Sequence, residues 1–474
     1  MDVKIYNAQD AKFLLDQFNE NNVTFEQKTY SGLISPCSAL INSEAAEKIN
    51  SDATLIWEWA ETAQRIYANL IANDPQNPLV KALEKNLTNV ALYQQRQSAL
   101  RGDLPKFGRI DSIALEPNQK IAEIQWKGGG AAFMAQIQRI YNERYQQEGE
   151  VQFGDLVKGL SKLYTENQTK KEPTVLIVTS SFWKKTEDLL ATQLKIDGIN
   201  LIATPIKGIA KKLKVENGMV YIEHDLKKYK LDYIYLDRLS ERLPNELLEK
   251  VIFAYESKNV ILDPPPSYLY NQKITLALPF QEEYRNYFSE GIRSILIPTA
   301  LMSNNNPDLS SIIPFITHSK AYLLGEIKTW EDLIKLPVAL RNQLVLKYAS
   351  TDKFNSCGGH RVIRLKCSNS ILEKTLETIL NDINNNEPWI IQPYINETWD
   401  VPFAHPESCD NIEIMKAHAR LNIYCANING IKEVIGSIAT FSPLWKVAGK
   451  TASYDENGHL NGSSFTDIRL VKKL

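Results

Sequence analysis

Along this chain the spacing of apolar residues changes character three times. In the first hundred residues it is helical. Ser43-Glu44-Ala45-Ala46 opens one pattern, and Ala, Glu, Trp and Ile recur at helical spacing from Ser51 to Ala72. Asn73-Asp74-Pro75 ends it. Pro78 to Arg101 predicts a further helix. A period of two then sets in. Arg109 and Asp111 alternate with apolar neighbours between Gly108 and Leu115, as do Glu123 and Gln125 in the run that begins at Lys120. Pro117-Asn118 lies between the two runs, so they predict a hairpin with one polar face. Lys127-Gly128-Gly129-Gly130 follows and feeds a helical pattern over Ala131 to Tyr145.

From about residue 172, apolar runs of strand length alternate with helical ones. Strands are expected at 173–179, 199–203, 231–236 and 260–262, with helices at 187–195 and 246–255. That alternation predicts a parallel α/β sheet. No GxGxxG follows its first strand, so the dinucleotide fingerprint is missing. After 267 helices and strands mix. Residues 344–348 form a strand with a single lysine, Lys347, followed by a small, polar, glycine-bearing loop over 349–360 and a returning strand at 361–365. A helix over 371–383 precedes a buried strand at 389–395. Strands at 417–426 and 433–441 flank Asn429-Gly430, a strong hairpin signal. A chain of 474 residues exceeds one ordinary core. The expected division is a mainly helical region 1–105, the hairpin and its helices 106–171, a Rossmann-like α/β domain 172–266, and a mixed region 267–474.

Several of these positions carry candidate chemistry. With a connecting loop of three or five residues, Arg109 faces Gln125 and Asp111 faces Glu123. Two carboxylates directly opposite each other repel unless a cation lies between them. Mg²⁺ suits such a site, since it prefers carboxylate oxygens and binds phosphates too. Arg109 beside it would complete a phosphate clamp. A solvated hairpin face has the same pattern. Lys347, with the Gly358-Gly359 loop after it, could cover the phosphates of a nucleotide; an ordinary hairpin reads alike. Gln392 and Tyr394 could bracket an adenine, or be the polar edge of a core strand. Arg420 and Asn422 alternate on one strand, where an inward Arg anchors a phosphate or carboxylate. His360 and His418 read as bystanders. Gly128 to Gly130 could hold an anion at a helix N-terminus or be a plain link.

Composition narrows the classes. With 43% hydrophobic and 23% charged residues the chain reads as soluble and globular. A formal net charge of −2 gives no field for nucleic acid, and the basic runs near 211–214 and 227–228 read as solvated faces. No apolar run is long enough to span a bilayer. Met1-Asp2-Val3-Lys4 does not open a signal peptide. Five cysteines without CxxC spacing suggest reduced thiols. A cytoplasmic protein is expected, acting on neither membrane nor nucleic acid.

The order of these signals resembles the circularly permuted ATP-grasp ligases, the group that includes glutathionylspermidine synthetase and the eukaryotic type of glutathione synthetase. In that group an early strand pair of the form R-x-D … E-x-N supplies the phosphate-contacting Arg and the Mg²⁺ ligands. Here Arg109, Asp111, Glu123 and Gln125 match it, with Gln125 where the family usually has Asn. Leu296-Ile297-Pro298-Thr299 resembles the segment before the ATP-binding half. Lys347 matches the lysine on the phosphates, Gly358 and Gly359 the flexible glycine loop, and the Gln392 to Ile395 strand the hinge beside adenine. The likeness covers about residues 105 to 445.

The resemblance implies an α+β and α/β multidomain chain: a circularly permuted ATP-grasp fold with an inserted Rossmann-like domain and an unassigned helical N-terminal region. It implies ATP and Mg²⁺ as cofactors. Arg109 and Arg420 would be catalytic. Lys347, Asn355, Ser356, Gly358, Gly359, Gln392 and Tyr394 would bind ATP, and Asp111, Glu123 and Gln125 the metal. The activity would be ATP-dependent ligation of a carboxylate to an amine through an acyl phosphate. The substrates would be an amino acid, a polyamine or a peptide, and a homodimer is compatible with it. Two departures stand out. Only Asp352 offers an acid between Lys347 and Gly359, and there is no amidase half with a nucleophilic Cys. Two rival readings are a degenerate ATP-grasp scaffold, which Gln125 favours, and a phosphotransferase built on the same grasp.

Overall fold

The computed structural model describes the chain except residues 7–8, 22, 24–29, 114–118, 127–129, 146–149, 167–171, 180–183, 236–242, 303–306, 351–360, 446–451, 457–459 and 472–474. The first part runs β1 (Asp2–Ile5), α1 (Gln9–Glu20), β2 (Cys37–Ile41), α2 (Ser43–Asn73), α3 (Pro78–Glu84) and α4 (Asn89–Arg101). It continues with β3 (Phe107–Ile113), β4 (Lys120–Gln125), α5 (Ala131–Tyr145), β5 (Glu150–Gln152) and α6 (Leu156–Glu166). The helix α2 starts where Asn42 accepts the Ala45 N–H at 2.8 Å, a side-chain cap for one free donor of the first turn. The single helix expected over 78–101 is two. Asn86 takes φ +66, and Thr88 then caps α4 through the Ala91 N–H. Residues 1–105 also contain β1 and β2, which enter the main sheet.

Next come β6 (Thr174–Thr179), α7 (Lys184–Lys195), β7 (Asn200–Pro205), α8 (Ile209–Lys212), β8 (Leu213–Glu216), β9 (Met219–His224), β10 (Lys227–Lys230), β11 (Tyr233–Tyr235), α9 (Asn245–Glu256) and β12 (Ile261–Asp263). The strands β12-β11-β6-β7 form the parallel sheet that the alternation predicts. Between β7 and β11 sits an antiparallel sheet, β10-β9-β8, that the sequence pattern did not announce.

The remainder supplies β13 (Ala300–Met302), β14 (Leu344–Tyr348), β15 (Val362–Arg364), β16 (Trp389–Pro393), β17 (Trp399–Ala404), β18 (Ile412–Ile428), β19 (Ile431–Ser442), β20 (Ser453–Tyr454), β21 (Leu460–Asn461) and β22 (Ser464–Val471). Asn429 at φ +50 and Gly430 at φ +88 make the β18–β19 turn, as the Asn-Gly pair predicts. The strands β13-β16-β14-β15 form an antiparallel sheet covered by the helix Asn369–Asn384, around Leu346, Leu376, Trp389 and Ile391.

The largest sheet has nine strands in the order β1-β2-β22-β19-β18-β3-β4, with β17 beside β18 and β5 beside β22. Both its faces are buried. Ile110, Ile423, Ala439 and Ile468 pack with Trp57 and Trp126 beneath α2. Phe107, Tyr424, Ile438 and Phe465 pack with α1, α5 and α6 on the other side. The fold is therefore a mixed α/β multidomain one, with its polar hairpin at one edge of a doubly covered sheet.

Candidate functional site

β3 and β4 pair with Arg109 opposite Gln125 and Asp111 opposite Glu123, the facing the alternation predicts. The route differs from the expected odd-numbered loop. The ladder begins with Ile113 opposite Lys120 and Ser112 opposite Ile121. Regular pairing would next set Ala122 against Asp111. A bulge between Asp111 and Ser112 leaves Ala122 as the extra residue and brings Glu123 there instead. On the other side of β3, β18 sets Tyr424 opposite Arg109, Asn422 opposite Asp111 and Arg420 opposite Ile113. Opposed residues share a face, so Arg109, Asp111, Glu123, Gln125, Arg420 and Asn422 lie together.

The contacts on that face are charged and tight. Arg109 donates Nε to Asp111 Oδ1 at 2.6 Å and Nη2 to Oδ2 at 2.9 Å, a bidentate pair whose two members are buried. Burial works against the Arg109 charge, but Asp111 and Tyr424 outweigh it and push its pKa up. Arg420 Nη1 stands 3.6 Å from Asp111 Oδ2. Gln125 Nε2 reaches Glu123 Oε1 at 3.3 Å and Asp111 Oδ2 at 3.4 Å. Lys273, in the turn Lys273–Leu276, reaches Glu123 Oε1 at 2.9 Å.

Lys347 joins this group from a different sheet. Burial brings its ammonium down to about 8, with Glu123 and Asp111 pulling it up and Lys273 pushing it down. Burial would likewise raise Glu123, yet Lys273 and Lys347 outweigh it and hold the carboxyl at about 2. The facing carboxylates are expected to repel unless a cation lies between them, and at Glu123 Lys273 and Lys347 supply that charge. Cations already surround it.

Two carboxylates and four cations, Arg109, Arg420, Lys273 and Lys347, leave a surplus of positive charge among the described residues. Such a surplus suits an anion. Two buried polar atoms beside Asp111, Arg420 Nε and Asn422 Oδ1, have no hydrogen-bond partner among the described residues. Unfilled buried valences of this kind belong to a ligand or an ordered water. A metal ion has a narrower fit. No group of three or more His, Cys, Asp or Glu side chains among the described residues could hold one. Asp111, Glu123 and Gln125 offer oxygens only, the donor set of a hard cation such as Mg²⁺. They suit it once Gln125 turns its amide oxygen inward and an anion joins to balance the lysines.

The other sequence candidates fall out unevenly. Gln392 is buried opposite Val345, and its amide donates to Thr299 Oγ1 at 2.7 Å. Tyr394 is engaged on several sides. The Arg364 guanidinium lies 3.7 Å over its ring, its hydroxyl meets His418 Nε2 at 3.1 Å, and Trp445 stands edge-on at 6.3 Å. His418 thus holds Tyr394, the residue that follows β16, to β18. Asn355, Ser356, Gly358, Gly359 and His360 lie outside the described residues, as do 127–129. Lys273 was missed. It is a lone lysine in an irregular segment, and no spacing marks it; only the fold carries it to Glu123.

Comparisons with known proteins complete the description. No family model and no curated relative matches the chain. Among solved structures, a protein assigned as a gamma-glutamylcysteine synthetase from Methylobacillus flagellatus KT is 10% identical over 78% of this chain and 83% of its own, at a TM-score of 0.36. D-alanyl-alanine synthetase A from Vibrio cholerae O1 biovar eltor str. N16961 is 12% identical over 63% of this chain and 85% of its own, at a TM-score of 0.29.

Proposed function

We propose that this protein is an ATP-dependent ligase that joins a small-molecule carboxylate to an amine through an acyl phosphate. The observation that supports the reading best is the convergence of Arg109, Asp111 and Glu123 from one sheet with Lys347 from another, in a cluster with excess positive charge. Phosphoryl transfer asks a protein mainly for positioning and for neutralisation of phosphate charge. This site is rich in both. The Arg109–Asp111 pair is buried and doubly hydrogen-bonded, and Arg109 keeps its charge. Lys273 and Lys347 are set to neutralise phosphate oxygens. Arg420, whose Nε has no partner among the described residues, is suited to the acyl oxygen or the carboxylate. Asp111, Glu123 and Gln125 are the residues that would hold Mg²⁺, whose chemistry there is to neutralise charge between phosphates.

The test is a phosphate-release screen of carboxylate and amine pairs with Mg-ATP, followed by mass analysis of any hit. An amide formed with ADP and phosphate is the expected outcome. Phosphate transfer without an amide would make the protein a phosphotransferase. No rise in melting temperature with Mg-ATP would leave a scaffold that does not bind nucleotide.

A further inference from the structure

The antiparallel sheet β10-β9-β8 interrupts the parallel layer and contributes nothing to the cluster around Glu123. Its composition departs from the chain as a whole. Residues 207–230 hold seven lysines and three acids, in a chain whose formal net charge is −2. One face is buried. Leu213, Val220 and Ile222 pack with Leu248, Val251 and Ile252 of α9. The other face is open, with Lys214, Glu216, Glu223 and Lys228 all exposed.

That open face is ordered. Lys214, Tyr221 and Lys230 lie in one row across the three strands. Lys228 crosses the row, its Nζ 4.5 Å from the centre of the Tyr221 ring, and pairs with Glu216. Lys214 and Lys230 have no ion-pair partner among the described residues. Strands spaced about 4.8 Å apart set their backbones about 10 Å from each other. The β9–β10 turn adds an apolar tip. Asp225 and Leu226 hold φ +47 and +60, and Leu226 is fully exposed. A leucine in the left-handed region costs backbone energy that its own packing does not return.

We propose that this face is a docking surface for an extended acidic polypeptide segment, one whose two carboxylates meet Lys214 and Lys230 while an apolar residue midway between them on the same side packs on the aliphatic stem of Lys228 that lies over Tyr221. Alternate side chains of an extended segment point the same way at about 7 Å spacing, within reach of two flexible lysines. Single-stranded nucleic acid fits less well. Glu216 and Glu223 lie in the rows on either side of the Lys214–Tyr221–Lys230 row, where a continuous run of phosphates would meet them and two carboxylates laid along the lysine row would not. The proposal does not depend on the ligase reading.

The test measures fluorescence anisotropy of a labelled peptide of three Glu-Leu-Glu repeats on the full chain at low salt. Saturable binding is expected. It should weaken about tenfold or more in Lys214→Glu/Lys230→Glu, and also in Tyr221→Ala. Circular dichroism checks that both variants are folded. Reversing Lys158, an exposed lysine on α6, should leave binding unchanged. The proposal is overturned if the peptide does not bind, if Lys158→Glu weakens it as much, or if a ten-residue oligothymidylate displaces it at lower concentration than unlabelled peptide.

Discussion

Lys347 is the residue on which the nucleotide reading turns. A charge-assisted contact to phosphate is worth about 1.5–3 kcal/mol. Lys347→Ala should therefore weaken ATP binding about ten- to a hundredfold, measured by calorimetry on folded protein. Unchanged affinity would remove Lys347 from the site. Its ammonium titrates at about 8, because it is buried. The rate of amine-directed labelling of Lys347 should accordingly be half-maximal near that pH, well below an ordinary lysine, and Mg-ATP should suppress it. Glu123 makes the opposite prediction. Its folded carboxyl lies at about 2 because Lys273 and Lys347 outweigh burial. A depressed acid stabilises the fold above its unfolded pKa, and that contribution is lost as pH falls through the folded value. Acid titration of stability should thus show wild type losing ground to Glu123→Gln between about pH 4.5 and 2.

At the scale of elements, the hairpin is where sequence and structure agree for different reasons. Alternation sets Asp111 and Glu123 on polar faces, but Ile121 and Glu123 alternate too, and in a regular strand they would share one face. Ile121 is in the core beneath α2. The bulge at Ala122 lets Ile121 stay buried while Glu123 turns to Asp111. Deleting Ala122 should give a regular ladder that keeps both facings, and so should leave ATP binding and folding largely intact. Inserting one alanine after Ala122 should instead set Glu123 opposite Arg109, two places along the same face and away from Asp111, and lower both ATP affinity and melting temperature. Similar outcomes from the two changes, in melting temperature and ATP titration, would refute the bulge assignment. The parallel sheet and the Asn429-Gly430 hairpin were legible because their signals are local. The outer strands of the large sheet were not. β22 carries Asp467 and Arg469 at alternate positions, which reads as a solvated face. In the fold both are fully buried, Arg469 Nε bonds Asp467 at 2.7 Å, and Ser38 of β2 donates to the same carboxylate. Nothing within β22 reveals a partner more than four hundred residues earlier. Lys273 escaped for the same reason, since its role comes from a chain path and not from a pattern.

At the scale of the molecule, the parallel sheet and the nine-stranded sheet meet at one buried acid. Asp263 ends β12, is 1% exposed, accepts the Lys106 N–H at 3.0 Å just ahead of β3, and takes the Tyr233 hydroxyl on its other oxygen. Burial raises its pKa to about 7, although the bonds from Tyr233 and Lys106 work against the rise. The sign of the consequence follows from linkage. The unfolded chain ionises this acid near 3.8, whereas the folded chain resists until about 7. Folded protein therefore holds a proton that unfolded protein has released, and stability falls as pH rises between those values, by at most about 1.4 kcal/mol per pH unit for one group. Below about 3.8 the contribution is complete, and above about 7 it is gone. Asparagine keeps an oxygen for the Lys106 N–H and carries no charge to desolvate. Asp263→Asn should lie close to wild type in denaturant melts near pH 4 and be the more stable of the two at pH 7, with the gap opening across that interval. Parallel pH profiles for the two proteins would mean that Asp263 is ionised at this joint throughout and that the contact between the sheets is not tuned by its proton.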